Sequence, residues 1–181
     1  MIYMFLADGF EETEALVTLD MLRRVGIKVK TVGIGKKKIK GAHDIKVIAD
    51  LRDKKIKLDK KLDGVILPGG MPGTLNLDKS LAVSSAVEFC AFNEKMVAAI
   101  CAAPIVLGKR GLLKGRNAVC FPGFEKDLEG AVISDDSVCR DDHFITAKGA
   151  GVAVQFACEI ITYLKGSNTA NKLLGDIQWD N

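Results

Sequence analysis

The sequence predicts an α/β domain, a mostly parallel sheet with helices on both faces. Strand-like runs at 2–7, 27–34, 63–70, 96–100 and 143–149 alternate with stretches whose apolar residues fall at helical spacing. That alternation is the signature of βαβ units. Several of the runs are continuously apolar, as strands buried on both faces require. Three of them end in unusual sequences, LADGFEETE, ILPGGMPG and AAICAAP. In sheets of this class, ligands bind beyond the carboxyl ends of strands, near the switch in strand order.

Each element has a local reason. IYMFLA (2–7) reads as a central strand. The helix that follows carries Glu11, Glu12 and Glu14 in its first turn and Arg23 and Arg24 in its last, both matched to the helix dipole, and Gly26 stops it. IKVKTVGI (27–34) completes the first βαβ unit. Residues 35–62 are lysine-rich, and HDIKVIAD (43–50) alternates as an exposed strand in a small hairpin or at an edge. DGVILPGG (63–70) is a buried strand with a Gly-rich exit. Residues 78–93 read as one amphipathic helix starting near Asp78, with Cys90 as packing. MVAAI (96–100) is a buried strand, and Ala102, Ala103 and Pro104 open a helix that Gly108 and Gly111 end. NAVCFPGF (117–124) gives a short strand and a turn. AVISD and SVCRD suggest a pair of short strands. HFITAKG (143–149) is a strand, 151–166 a strongly apolar helix with Cys158 in its core face, and the tail a last short helix with Trp179 docked on the body or on a second subunit.

The totals narrow the function classes. At 181 residues the chain suits one domain, spanning 1–181, and no linker, repeat or low-complexity segment divides it. A net charge of +3 is too small to imply a nucleic-acid partner, and Lys36, Lys37, Lys38 and Lys40 read as a solvated turn. The N-terminus has no basic region and no run long enough for a signal peptide or membrane helix, so a cytoplasmic location is expected, with no membrane partner. The five cysteines are odd in number, lack a CxxC pair and are accompanied by only two histidines. That argues against a disulfide framework or a structural zinc site, and no metal is expected. No P-loop spacing and no GxGxxG occur, so no nucleotide cofactor is expected.

Cys101 is the candidate nucleophile. A strand that stops at a cysteine and turns at once into a helix has the layout of a nucleophile elbow. The helix N-terminus beside the sulfur would favour a thiolate, and Pro104 fits a helix's first turn. The alternative is a cysteine that only fills the core. Gly69 and Gly70 permit close backbone approach, and the N–H groups of Gly70 and Ala102 would form an oxyanion hole beside the sulfur. The bland reading of Pro68, Gly69 and Gly70 is a tight turn. Glu11 and Glu12 read as helix decoration, whereas Glu14, one turn further in, can point back to the sulfur. A carboxyl beside a thiolate tends to keep its proton, and the two titrate as a unit. Neither His43 nor His143 is placed beside Cys101, which argues against an ordinary Cys-His-Asp protease.

Taken together, ADGFEETEA, VILPGGMPGTLNL, AAICAAP and TAKGAG resemble the DJ-one/ThiJ/PfpI superfamily, in particular the subgroup around the parkinsonism-associated protein DJ-one and its bacterial relatives. The likeness covers nearly the whole chain. It implies a flavodoxin-like three-layer sandwich, a homodimer, and a site without a cofactor. It places the reactive cysteine at Cys101, its hydrogen-bonding protonated glutamate at Glu14, and the oxyanion-site amides at Gly70 and Ala102. The implied function is a cysteine-dependent enzyme on small reactive carbonyls: a glutathione-independent glyoxalase or deglycase acting on a small aldehyde or glycated substrate and protecting against oxidative stress. The alternative is a redox sensor or chaperone-like binding protein acting through oxidation of Cys101, and more remotely a PfpI-type peptidase. The chain departs from the pattern at Phe121, where the subgroup often carries histidine, and at Ala102, where the peptidase branch carries one. His43 and Lys148 fall where DJ-one has arginines. Cys120 falls close to the rim of the site in that pattern, where it is a candidate second oxidisable thiol, and its role is left open by the sequence.

Overall fold

A computed structural model describes residues 1–179. Strand β1 (Ile2–Leu6) is buried throughout. Its alternation sends Tyr3 and Phe5 to one core and Ile2, Met4 and Leu6 to the other, as a period of two requires of a central strand. Helix α1 (Glu12–Arg24) buries Ala15, Met21 and Leu22 on one face. Strand β2 (Val29–Gly33) returns parallel to β1. The lysine-rich stretch folds as the small hairpin β3 (Lys38–Lys40) and β4 (Lys46–Ile48), and β5 (Leu51–Arg52) adds an edge beside β2. Then β6 (Gly64–Leu67) pairs with the other side of β1. After α2 (Gly73–Asp78) and α3 (Leu81–Phe92) comes β7 (Met96–Ile100), parallel to β6.

The elbow strand leads to α4 (Pro104–Gly108). Short strands β8 (Asn117–Ala118) and β9 (Val132–Ile133) pair with each other in parallel. Strand β10 (Val138–Asp141) forms an antiparallel hairpin with β11 (Phe144–Ala147), which lies parallel to β7. Helices α5 (Ala153–Lys165) and α6 (Ser167–Asp176) close the chain. The main sheet runs β10-β11-β7-β6-β1-β2-β5. Its five principal parallel strands therefore follow the flavodoxin-like order 2-1-3-4-5, with the switch between β1 and β6. Helices α1, α5 and α6 cover one core, and α2, α3 and α4 the other. This is the three-layer architecture expected. Among the described residues, no helix is long and apolar enough to cross a membrane.

One expectation needs correction. The helix foreseen over 78–93 begins later, at Leu81: Asp78 ends α2, Ser80 is extended, and its hydroxyl caps α3 by accepting from Val83 N–H. The two short strands expected in AVISD and SVCRD both form, β9 pairing with β8 and β10 with β11. The helix after the elbow is short and ends at Gly108, as expected. Its end is fixed by packing: a Cβ at Gly108 would stand 2.2 Å from the carbonyl oxygen of Asp127.

Candidate active site

Three strand ends build the site: those of β1, β6 and β7. Ile100 is the last residue of β7, and Cys101 follows with φ of 65°, a left-handed conformation rare outside glycine. Such a residue persists when its neighbours over-determine it. Here Cys101 N–H donates to Ala147 O at 2.8 Å, and Phe121 N–H donates to Cys101 O at 2.8 Å. Both backbone groups of the cysteine are thus pinned, one to β11 and one to the segment after β8. The side chain is half-buried and turned out of the sheet.

The N-terminus of α1 is tied to the β6 exit by a ring of three hydrogen bonds. Glu11 N–H donates to Gly69 O at 2.9 Å. Gly69 N–H donates to Glu14 Oε2 at 2.8 Å. Glu14 N–H donates to Glu11 Oε2 at 2.7 Å, which makes Glu11 the helix cap. Residue 69 must be glycine for this closeness: a Cβ there would lie 2.6 Å from Cys101 Cβ and 2.8 Å from Glu14 Oε2. Gly70 has φ of 89°, and a Cβ would lie 2.4 Å from Glu11 N. The turn therefore brings a backbone N–H to the sulfur where any side chain would block it.

Glu14 is 1% exposed. Burial pushes its carboxyl up to about 7, against the opposing pull of hydrogen bonds to Cys101 and Gly69 N–H, and the nearby charge of Glu11 adds to the rise. Its Oε1 makes no well-formed hydrogen bond of its own, and the group coupled to the carboxyl is the Cys101 thiol. Burial, then the charge and hydrogen bond of Glu14, push that thiol up to about 12, while the N–H groups of Ala102 and Gly70 pull it down. The expected thiolate at a helix N-terminus is thus corrected. A five-residue helix supplies little dipole, and two individual amides are what favour charge on the sulfur. The pair loses one proton near neutrality and resists losing a second, because two adjacent buried anions repel.

Cys101, Glu14, Gly70 and Ala102 therefore converge as a group. Neither histidine joins them. His43 is exposed, and its Nδ1 lies 2.9 Å from Glu12 Oε2. His143 is buried before β11, with its carbonyl accepting from Val97 N–H, at the opposite end of β7 from Cys101. Lys148 donates to Asp135 O at 2.7 Å. Cys120 belongs to the apolar core, not the rim; it is 3% exposed, and burial pushes its thiol up to about 11. The rim position is taken by Phe121, half exposed and edge-to-face with Phe124.

Sequence reasoning missed three residues. Glu11 caps α1 although glutamate is not a preferred cap, so no cap signal marked it. Glu12 is 5% exposed and is no decoration: its carboxylate accepts from His43 N–H and Ile45 N–H and meets the His43 ring, fixing the 41–45 loop. Gly149 stands beside the sulfur, and only the TAKGAG string hinted at it. A Cβ on Gly149 would lie 4.0 Å from Cys101 Sγ and 3.2 Å from the Phe121 ring.

The geometry has close counterparts among known proteins. The DJ-1/PfpI family model matches residues 1–163. Protein dj-1beta of Drosophila melanogaster is 33% identical over 171 residues, 93% of this chain and 91% of that protein. The glutathione-independent glyoxalase DJR-1.2 of Caenorhabditis elegans is 33% identical over 165 residues, 91% of this chain and 88% of that protein. A crystal structure of a DJ-1 superfamily protein from Salmonella typhimurium, 34% identical, superimposes with a TM-score of 0.94, covering 99% of this chain and 98% of the other. The family match and the length of these likenesses lead to one conclusion: the chain belongs to the DJ-1/PfpI family.

Proposed function

We propose that this protein is a cysteine-dependent enzyme acting on small reactive carbonyls, of the glutathione-independent glyoxalase or deglycase type. The carrying observation is the convergence on one sulfur of a buried carboxyl and two backbone N–H groups. Near neutrality the pair holds one proton. Moving it from sulfur to Glu14 gives a thiolate and a carboxylic acid at no change in net charge, and the unpartnered Oε1 is free to take it. The thiolate attacks the aldehyde carbon of methylglyoxal and forms a carbon–sulfur bond. The aldehyde oxygen becomes an oxyanion held by the Gly70 and Ala102 amides, then takes the proton from Glu14 as a hemithioacetal. Glu14 next removes the proton on that carbon and delivers one to the neighbouring ketone carbon, through an enediol. The result is a lactoyl thioester, and water cleaves it to lactate and the thiol. The sum is methylglyoxal plus water to lactate, with no external oxidant or reductant.

The test is lactate formation from methylglyoxal by wild type, Cys101→Ser and Glu14→Ala. Loss of turnover in Cys101→Ser is expected. Equal turnover by wild type and Cys101→Ser would sink the mechanism. The similarity to a relative named as a glutathione-independent glyoxalase supports this reading. A peptidase is disfavoured, since neither histidine of the chain reaches the sulfur.

A second reading, a redox sensor, shares the site. A half-exposed thiol able to shed its proton to a neighbour can climb to sulfenic and sulfinic acid, and protonated Glu14 would donate to a sulfinate oxygen. Mild peroxide with peptide mapping tests it: oxidation spread evenly over the five cysteines, instead of concentrated at Cys101, would count against it. We also propose a homodimer in a reducing, cytoplasmic setting. The exposed Ile45 and Ile48 of the hairpin region support self-association, and a monomer mass by sedimentation would oppose it.

A further inference from the structure

We propose that Thr146 is a positioning residue: through the stretch 119–121 it aims the Ala102 N–H at the sulfur. The inference rests on the carbonyl-enzyme reading above for its kinetic consequence, and adds to it a residue that touches neither sulfur nor substrate. Thr146 is a polar residue in the buried strand β11. A buried hydroxyl calls for a partner. The alternation of β11 sends Phe144 to the core that also holds Ala118 and Cys120, and Thr146, two residues on, faces the same side. There its Oγ1 accepts from Val119 N–H at 3.0 Å, with both residues buried.

That bond begins a chain of contacts that ends at the sulfur. Val119 opens a three-residue stretch closed by Phe121, and Phe121 N–H donates to Cys101 O at 2.8 Å. Cys101 O and Ala102 N–H belong to one planar trans peptide, so they point in opposite directions and turn together. A donor fixed on the oxygen side therefore fixes the N–H on the other side. That N–H is one of the two that favour charge on the sulfur. The amide of the cysteine is held by the next residue of the same strand, since Cys101 N–H donates to Ala147 O at 2.8 Å. Thr146 and Ala147 thus grip Cys101 from both sides, one by way of its carbonyl and one by its amide. The φ of 65° at Cys101 makes the grip necessary, because a left-handed non-glycine residue relaxes when its neighbours let go. Without the Thr146 hydroxyl, Val119 N–H is a buried donor with no acceptor. Leaving such a group unpaired is costly, so the stretch shifts to find a partner. Phe121 N–H then moves off Cys101 O, the peptide turns, and Ala102 N–H leaves the line to the sulfur.

The experiment compares wild type, Thr146→Val, which removes the acceptor at nearly constant shape, and Thr146→Ser, which keeps it. The first assay is the rate of Cys101 alkylation by iodoacetamide across pH, which needs no turnover. In Thr146→Val the plateau rate above pH about 7 is expected to fall at least ~10-fold, the size of one hydrogen bond to a charged group, while the midpoint, set by the Glu14 carboxyl, stays in place. Lost packing alone would open the thiol and raise the rate, so the direction of change separates positioning from a merely structural role. The second assay is methylglyoxal turnover. The amide acts on an oxyanion that exists only after attack, so kcat is expected to fall at least ~10-fold with KM little changed. Thr146→Ser is expected to match wild type in both assays. An unchanged alkylation plateau in Thr146→Val would overturn the proposal whatever happens to turnover, and so would a loss in Thr146→Ser equal to that in Thr146→Val. If Thr146→Val does not fold, Thr146→Ala, which also lacks the acceptor, is judged by the same outcomes. Absence of turnover by wild type would instead remove the enzyme reading, and the alkylation plateau would still decide the part played by Thr146.

Discussion

Neutralising Glu14 is expected to make the protein more stable at high pH. Its carboxyl is raised from 4.5 to about 7 by burial, so ionising it costs roughly 3 kcal/mol more in the folded protein than in the unfolded chain. Between those two pH values the folded state holds a proton that the unfolded state has released. Stability from this group is therefore fully present below about pH 4.5 and is lost as pH rises through about 7. Glu14→Gln keeps the shape and cannot ionise. Urea unfolding of both proteins across pH 4.5 to 8 should give similar stabilities at the acid end, with the variant gaining on wild type by roughly 3 kcal/mol towards pH 8. Parallel pH curves would refute the reasoning. So would a titration that persists in Glu14→Gln and vanishes in Cys101→Ser, since that would put the resting charge on the sulfur. The same coupling fixes the acid limb of activity: kcat/KM should rise with pH through about 7, where the pair first carries the single charge that attack needs.

Two further substitutions test the scaffold. Gly69→Ala forces a methyl to within 2.6 Å of Cys101 Cβ and 2.8 Å of Glu14 Oε2; overpacking of this kind typically costs 1–3 kcal/mol, so a urea midpoint within error of wild type would contradict the crowding (roughly that range is expected). Glu12→Ala removes a buried acceptor of the His43 and Ile45 N–H groups; hydrogen exchange should accelerate at those two amides well beyond the rest of the sheet, with a loss of about 1–3 kcal/mol in overall stability.

Much of the architecture was legible because it is set by patterns local to each element. β7 was read at its observed bounds, since five apolar residues between a turn and a cysteine leave few alternatives. β1 and α1 were equally plain, and the order of elements carried the layer arrangement. What was missed concerns a helix cap and strand pairing. Ser80 looked like a helix-interior residue until its hydroxyl was seen to cap α3. That β9 and β10 pair with β8 and β11 is not legible from the sequence, because pairing is decided by which strand edge each one reaches. The end of α4 at Gly108 was legible from the glycine, and the structure adds a packing reason, since a Cβ there would stand 2.2 Å from the carbonyl oxygen of Asp127.

The site divides along the same line. That Cys101 and Glu14 are paired could be reasoned from strand ends alone, but the sign of the effect on the sulfur could not. Sequence reasoning supplied a helix dipole and so expected an easily formed thiolate. Burial of Glu14 to 1% exposure, and the ring that fastens it through Gly69 to Glu11, depend on a turn with room for no side chain at residue 69. Once that ring is in place, the carboxyl and the thiol compete for one charge, and the elbow no longer sets the reactivity of its cysteine. Reactivity then belongs to the pair: a proton shared between sulfur and carboxyl, with two amides waiting at the sulfur for whichever anion forms there. The same ring gives Glu11 a part that no helix-propensity rule would assign, because its side chain holds the helix start and its backbone holds the Gly-rich turn at once. Glu11→Gln, which keeps an acceptor for Glu14 N–H but removes the charge that helps raise the Glu14 carboxyl, should therefore move the acid limb of kcat/KM to lower pH while leaving the fold intact by circular dichroism. An acid limb that stays in place would show that burial alone sets it.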